Sequence, residues 1–203
     1  RGPLNIGVTV FGQVPAAQAL TRSGARPGDL LCVGGCLGDG AAGLSVVLGQ
    51  TLPAGLPMAE QNYLHQRFWR PLPQLALGAL LRGHASAGLD VSDGLLADAA
   101  HIAKASGVCL QINGPQLPMS DALRSWPERQ QLDWMLRGGD DYVLLFTLPR
   151  AARGQIERWR QAGQRVSVIG QVQVGQGVQL DLGLGMRPVD GPGGYQHFRS
   201  QDD

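Results

Sequence analysis

The 203-residue chain has a formal net charge of +1, with 43% apolar and only 16% charged residues. That balance leaves no electrostatic footprint for nucleic acid or an acidic membrane, and the apolar share argues against disorder. Glycine (30) and proline (13) are abundant but without period, lying between apolar runs as turns and points of close backbone approach.

In chain order, residues 4–12 alternate as a strand does. Residues 13–28 carry Pro15, Gly24 and Pro27 and read as a connection, with a short helical turn near 16–20. Residues 29–34 are an apolar run suited to a buried strand, and a helix over 41–48 follows a glycine-rich turn. Helical patterns cover 58–68 and 74–81, separated by Pro71 and Pro73. From Ala85 the rhythm becomes strand then helix. A strand ends at Leu89-Asp90-Val91, a helix runs from 94 to 106, and Gly107 sits where a helix-ending glycine belongs. Residues 108–112 read as a strand, 115–137 as a loop with two short helices, and 142–147 as the clearest strand. A helix over 150–162, strands over 165–169 and 177–182, and a Gly/Pro-rich tail from Gly183 complete the chain. The alternation predicts an α/β (α+β layered) fold, a mixed sheet with helices packed on it.

No run of eighteen or so apolar residues is present, which excludes a membrane-spanning helix. Cys32, Cys36 and Cys109 form no metal-spaced pair and fit a reducing cytosol, each as a small apolar filler. The tryptophans read as core or half-buried, and the four histidines as surface or helix-face residues. Thirteen of the sixteen acids are aspartate, a residue that caps helices, makes turns and ligates hard cations.

Three stretches carry candidate chemistry. In Asp90-Val91-Ser92-Asp93-Gly94-Leu95 a strand ends and a helix begins. Either Ser92 or Asp93 is an N-cap, or the two carboxylates hold Mg²⁺ against a phosphate at the helix N-terminus. Arg137-Gly138-Gly139-Asp140-Asp141-Tyr142 is either a turn or a carboxylate aimed at a cationic or hydrogen-bonding substrate group. Gly35-Cys36-Leu37-Gly38-Asp39-Gly40 is a strand-to-helix turn able to cradle phosphate, without the Lys-Ser/Thr of a P-loop. No nucleophilic catalytic set is present.

These stretches lie in one line with Phe11-Gly12, Leu20-Thr21-Arg22-Ser23-Gly24-Ala25-Arg26-Pro27-Gly28-Asp29, Gly38-Asp39-Gly40-Ala41-Ala42-Gly43-Leu44, Arg70-Pro71 and Gly194-Tyr195-Gln196-His197-Phe198. In that order they resemble the thiamine-monophosphate kinase family, within the aminoimidazole ribonucleotide synthetase-like superfamily, over essentially the whole chain. The resemblance implies ATP- and Mg²⁺-dependent phosphoryl transfer to thiamine monophosphate, giving thiamine diphosphate. By position, Asp90 and Asp93 would be Mg²⁺ ligands, Arg22 and Ser92 would contact ATP, and Asp140 and Tyr195 would contact the thiamine substrate. Two departures stand out. The family has Gly-Glu-Asp-Tyr-Glu-Leu where this chain reads Gly139-Asp140-Asp141-Tyr142-Val143-Leu144, and Gln196 stands where Asp is common.

The resemblance also sets expectations for organisation. Residues 1–21 would be the last strand and linker of an N-terminal ATP/Mg-binding domain that is otherwise missing, and 22–203 the C-terminal domain. The intact protein would be a cytoplasmic homodimer, joined through that N-terminal domain, and the isolated chain would be inactive. Rival readings are selenophosphate synthetase, aminoimidazole ribonucleotide synthetase, a hydrogenase maturation factor, or a non-catalytic ligand-binding module. Tyr195-Gln196-His197-Phe198 and the Asp-Val-Ser-Asp-Gly run favour the thiamine enzyme.

Overall fold

A computed structural model describes residues 4–50 and 52–189. Seven strands form one mixed sheet: β1 (Leu30–Gly34), β2 (Ala87–Asp90), β3 (Cys109–Asn113), β4 (Leu144–Leu148), β5 (Val166–Gln173), β6 (Gly177–Asp181) and β7 (Arg187–Pro188). Their order is β2-β4-β1-β5-β3-β6-β7. Every pairing is antiparallel except β3 with β6. The helices are α1 (Asp39–Val47), α2 (Met58–Trp69), α3 (Leu75–Leu81), α4 (Leu95–Ser106), α5 (Asp121–Arg124), α6 (Glu128–Arg137) and α7 (Gly154–Gln161).

The sheet is covered on both faces, and for this reason β1 is apolar throughout rather than alternating. Leu31 and Val33 join Leu110, Ile112, Leu145 and Ile169 in the main core, beneath Leu95, Ala99 and Ile102 of α4. Leu30 and Cys32 point the other way, with Phe146 and Leu148, onto Leu77 and Leu81 of α3 and Ile156 and Trp159 of α7. Further along that second face the apolar cover gives way to a glutamine ladder across β5, β3 and β6. Gln171 Nε2 donates to Gln111 Oε1 at 3.1 Å, and Gln111 Nε2 to Gln179 Oε1 at 2.9 Å.

The expected mixed α/β architecture is found, with four local differences. Residues 4–12 pair with no strand among the described residues: Leu4 is 87% exposed and Phe11 92%. Alternation marks a segment able to pair, and pairing needs a free sheet edge beside it. Around 16–17 there is a single turn instead of a helical one, with Gln18 N–H donating to the Pro15 carbonyl. β4 starts at Leu144, because Tyr142 has φ 51°, which no strand residue adopts. Trp126 and Trp159 are buried, but Trp69 is 60% exposed. The three cysteines are free and buried, as apolar fillers should be. No helix among the described residues is long and apolar enough to cross a membrane.

Candidate active site

The site grows out of the open end of the β2–β4 pair. Beyond Asp90 the two chains keep bonding: Val91 N–H donates to the Val143 carbonyl, Tyr142 N–H to the Val91 carbonyl (both 2.8 Å), and Asp140 N–H to the Ser92 carbonyl (3.0 Å). These bonds zip the turn at 91–94 against the turn at 138–142. Gly94, with φ 112°, then turns the chain into α4. Neither Ser92 nor Asp93 caps α4, which has no side-chain cap. Instead Asp98, buried in the first turn, accepts both the Ser92 and the Asp93 N–H on Oδ2 at 3.0 Å. Burial pushes the Asp98 carboxyl up, and these two N–H donors pull it back.

The glycine-rich turn before α1 is arranged differently from the expected phosphate cradle. Its donors are already taken. Asp141, 1% exposed, accepts the Gly38 N–H on Oδ2 at 2.6 Å and the Gly40 N–H on Oδ1 at 2.8 Å. The helix N-terminus thus holds an internal carboxylate where a ligand phosphate would otherwise fit. Burial pushes the Asp141 carboxyl up to about 7, opposed by those two N–H groups. Arg67, also buried, donates from Nη2 to the Asp141 carbonyl at 2.9 Å. The neighbouring Asp39 is engaged as well, by Ser120 Oγ (2.6 Å) and the Tyr63 hydroxyl (2.7 Å). At Gly40 a Cβ would lie 2.7 Å from the Asp140 carbonyl, so this joint requires glycine.

Beside the joint opens a cleft of about 550 Å³, lined by Ser92, Asp93, Asp140 and Tyr142 together with the apolar Leu44 and Phe68. None of its lining residues is basic. Asp140 and Tyr142 have φ 65° and 51°, left-handed values that side chains rarely take. The Tyr142 hydroxyl donates to Asp140 Oδ1 at 3.1 Å. Burial raises the Tyr142 phenol, and the nearby Asp140, Asp90 and Asp93 raise it further. Of these, only Asp140 is in hydrogen-bond contact with the ring's hydroxyl.

Of the residues expected from the sequence, Ser92, Asp93 and Asp140 meet in the cleft, and Asp90 stands exposed at the end of β2 within electrostatic reach. Arg22 is not brought to them. It is exposed, and its carbonyl accepts from Ser106 Oγ at the far end of α4. That helix has 12 residues, so the separation is about 18 Å. Tyr195 lies outside the described residues. Sequence reasoning missed Asp98, Asp141 and His101. Donor atoms of Asp93, Asp98 and His101 lie within 4.8 Å of one another, although the histidine has no metal-ligand spacing to a second histidine. Carboxylate oxygens facing a cleft without basic residues suit a hard divalent cation, and a phosphate would be repelled there without one. The Asp93 and Asp140 carboxylates at this cleft are hard oxygen donors of the kind Mg²⁺ takes. The His101 imidazole and Asp98 Oδ2, which already holds two N–H groups, suit it less.

The family described as AIR synthase related protein, C-terminal domain, matches residues 26–183. The chain belongs to this AIR synthase related family. Its curated relatives include the thiamine-monophosphate kinases of Salmonella typhimurium, 41% identical over 98% of this chain and 61% of that protein, and of Escherichia coli K12, 44% identical over 77% and 48%. The chain thus spans about half to three-fifths of their length. Among solved structures, thiamine-monophosphate kinase from Stenotrophomonas maltophilia K279a superposes with a TM-score of 0.78 at 40% identity, covering 84% of this chain and 55% of that one. AaThiL complexed with AMPPCP and TMP gives 0.74 at 34% identity, covering 88% and 54%. The E. coli hydrogenase maturation protein HypE, at 23% identity and TM-score 0.66, shares the AIR synthase related fold.

Proposed function

We propose that the chain is the substrate-recognising part of an ATP- and Mg²⁺-dependent kinase that phosphorylates thiamine monophosphate to thiamine diphosphate. The observation that carries this is the convergence of Asp93, Ser92 and Asp140 on one acidic cleft, in a chain whose relatives are thiamine-monophosphate kinases. Asp90 and Asp93 would hold Mg²⁺, which when bound offsets the charge of the phosphates. The Ser92 hydroxyl and Arg22 would contact ATP, Arg22 on the strength of its place in the motif. Asp140 and Tyr195 would hold the thiamine substrate, the carboxylate of Asp140 facing its cationic ring.

The residue inventory suits this chemistry. A phosphate oxygen of the substrate is already a nucleophile, so no side chain has to remove a proton from it. It forms a bond to the γ-phosphorus of ATP as the bond to the bridging oxygen breaks and ADP leaves. Positioning and charge neutralisation then do the catalysis. The intact protein would work in the cytoplasm as a homodimer, joined outside these 203 residues, and the chain by itself would not turn over.

Calorimetric titration of the 203-residue chain tests the reading. With Mg²⁺ present it is expected to bind both AMPPCP and thiamine monophosphate; failure to bind thiamine monophosphate overturns the assignment. Thiamine diphosphate formation by the chain alone, measured beside a full-length relative, is expected at background. Turnover near the relative's would overturn the stated dependence on further sequence.

A further inference from the structure

Asp140 and Tyr142 are two of three described non-glycine residues with positive φ, and the residue between them is the most tightly held group in the site. Left-handed backbone costs an L-residue about 1 kcal/mol, so two such residues flanking one position need an anchor. Asp141 is placed to be that anchor. Its carboxylate spans the Gly38 and Gly40 N–H groups, and its carbonyl takes the Arg67 guanidinium. Its own backbone is therefore fixed from two sides by α1 and α2. Because the Gly40 Cα packs on the Asp140 carbonyl, closer than a Cβ would allow, the anchor and the tip move together.

We propose that Asp141 is the positioning residue of the cleft: by tying the 138–142 turn to the start of α1, it holds Asp140 and Tyr142 as one hydrogen-bonded carboxylate–phenol pair that receives the cationic ring. The identity of the ring rests on the function proposed above; the anchoring does not. Asp141 touches no substrate in this scheme and acts through its neighbours. The Ser92 and Asp93 amides are held by Asp98 and not by Asp141, although the two turns also share the Asp140 N–H bond to the Ser92 carbonyl.

Amide hydrogen exchange in the ligand-free 203-residue chain decides the anchoring. Asp141→Asn keeps the side chain's size but sets an NH₂ group against one backbone donor. Exchange at the Asp140 and Tyr142 amides is expected to accelerate about tenfold, while Ser92 and Asp93 keep their protection. Unchanged protection at Asp140 and Tyr142 overturns the proposal. In calorimetry the same variant is expected to bind thiamine monophosphate about tenfold more weakly, with AMPPCP affinity in Mg²⁺ held within about twofold. An equal loss of both, as general loosening would produce, also overturns it. A wild-type chain that binds no thiamine monophosphate removes the function reading and leaves the exchange result to judge the anchor. Should Asp141→Asn fail to fold, Arg67→Gln removes the bond to the Asp141 carbonyl, together with the guanidinium charge, and leaves the Asp141 side chain's own two N–H partners in place. It should shift the same two amides in the same direction, and no shift would overturn the proposal.

Discussion

The turn at 91–94 and the turn at 138–142 meet edge to edge, and each is tied down by a buried aspartate, but the ties differ in reach. Asp98 holds the N–H groups of residues five and six positions before it, so that turn is completed by the first turn of its own helix. Asp141 holds N–H groups 101 and 103 positions away, so its turn exists only once the sheet and α1 are assembled. The first turn takes its positive φ on Gly94, at little cost; the second takes it on Asp140 and Tyr142. Strain is concentrated on the side proposed to meet the organic substrate. The side proposed to meet metal and phosphate is relaxed and local.

The largest expected break of this comparison comes from removing each anchor. Asp141→Ala orphans two deeply buried N–H groups and should lower unfolding free energy by about 4 kcal/mol, against about 2 kcal/mol for Asp98→Ala, whose donors lie nearer water. Urea denaturation measures both, and equal losses would erase the distinction between long-range and local support. Next, Asp93→Asn should weaken Mg²⁺-dependent AMPPCP binding about a hundredfold with an unchanged thermal midpoint, since Asp93 is held in place through its backbone. A midpoint that falls sharply would mean that the 91–94 turn also depends on its half-buried carboxylate.

The third expectation concerns pH. In the folded chain Asp141 keeps its proton up to about 7, whereas an unfolded aspartate releases it near 4. Folding therefore takes up a proton between those values, and stability declines as pH rises from about 4 to about 7. Asp98, also raised by burial, adds a contribution of the same sign. In Asp141→Asn the decline should be shallower over that window, as read from urea midpoints; an identical profile would place the titration elsewhere. The smallest effect is Asp140→Gly. Relief of one left-handed residue should raise stability by about 1 kcal/mol while thiamine monophosphate binding is lost, and a fall in stability would show Asp140 to be unstrained.

Much of this molecule can be read from its sequence where the governing contacts are local. The helix expected over 94–106 with its glycine stop is α4, ending at Gly107 in the left-handed conformation. The apolar run 29–34 is β1, its residues alternating between the two cores. Ser92, Asp93 and Asp140 stand out because glycines at strand ends mark them. Asp141 does not, although it is adjacent: nothing near it in sequence reveals that Gly38 and Gly40 are its partners. The glycine-rich turn looks like a phosphate cradle for the same reason, since residues 35–40 do not disclose that a carboxylate from the turn leading into β4 fills it. Residues 4–12 carry a strand's alternation without a partner among the described residues, because pairing depends on a neighbouring edge and not on the segment's own pattern.

That segment has a practical side. Leu4, Ile6, Val8 and Val10 are each at least 75% exposed, on a backbone whose donors and acceptors join no sheet among the described residues. Such a stretch is a template for pairing with another copy of itself. In concentrated solution, clumping of the isolated 203-residue chain should begin there, and a single lysine in place of Val8 should raise the concentration at which it stays clear.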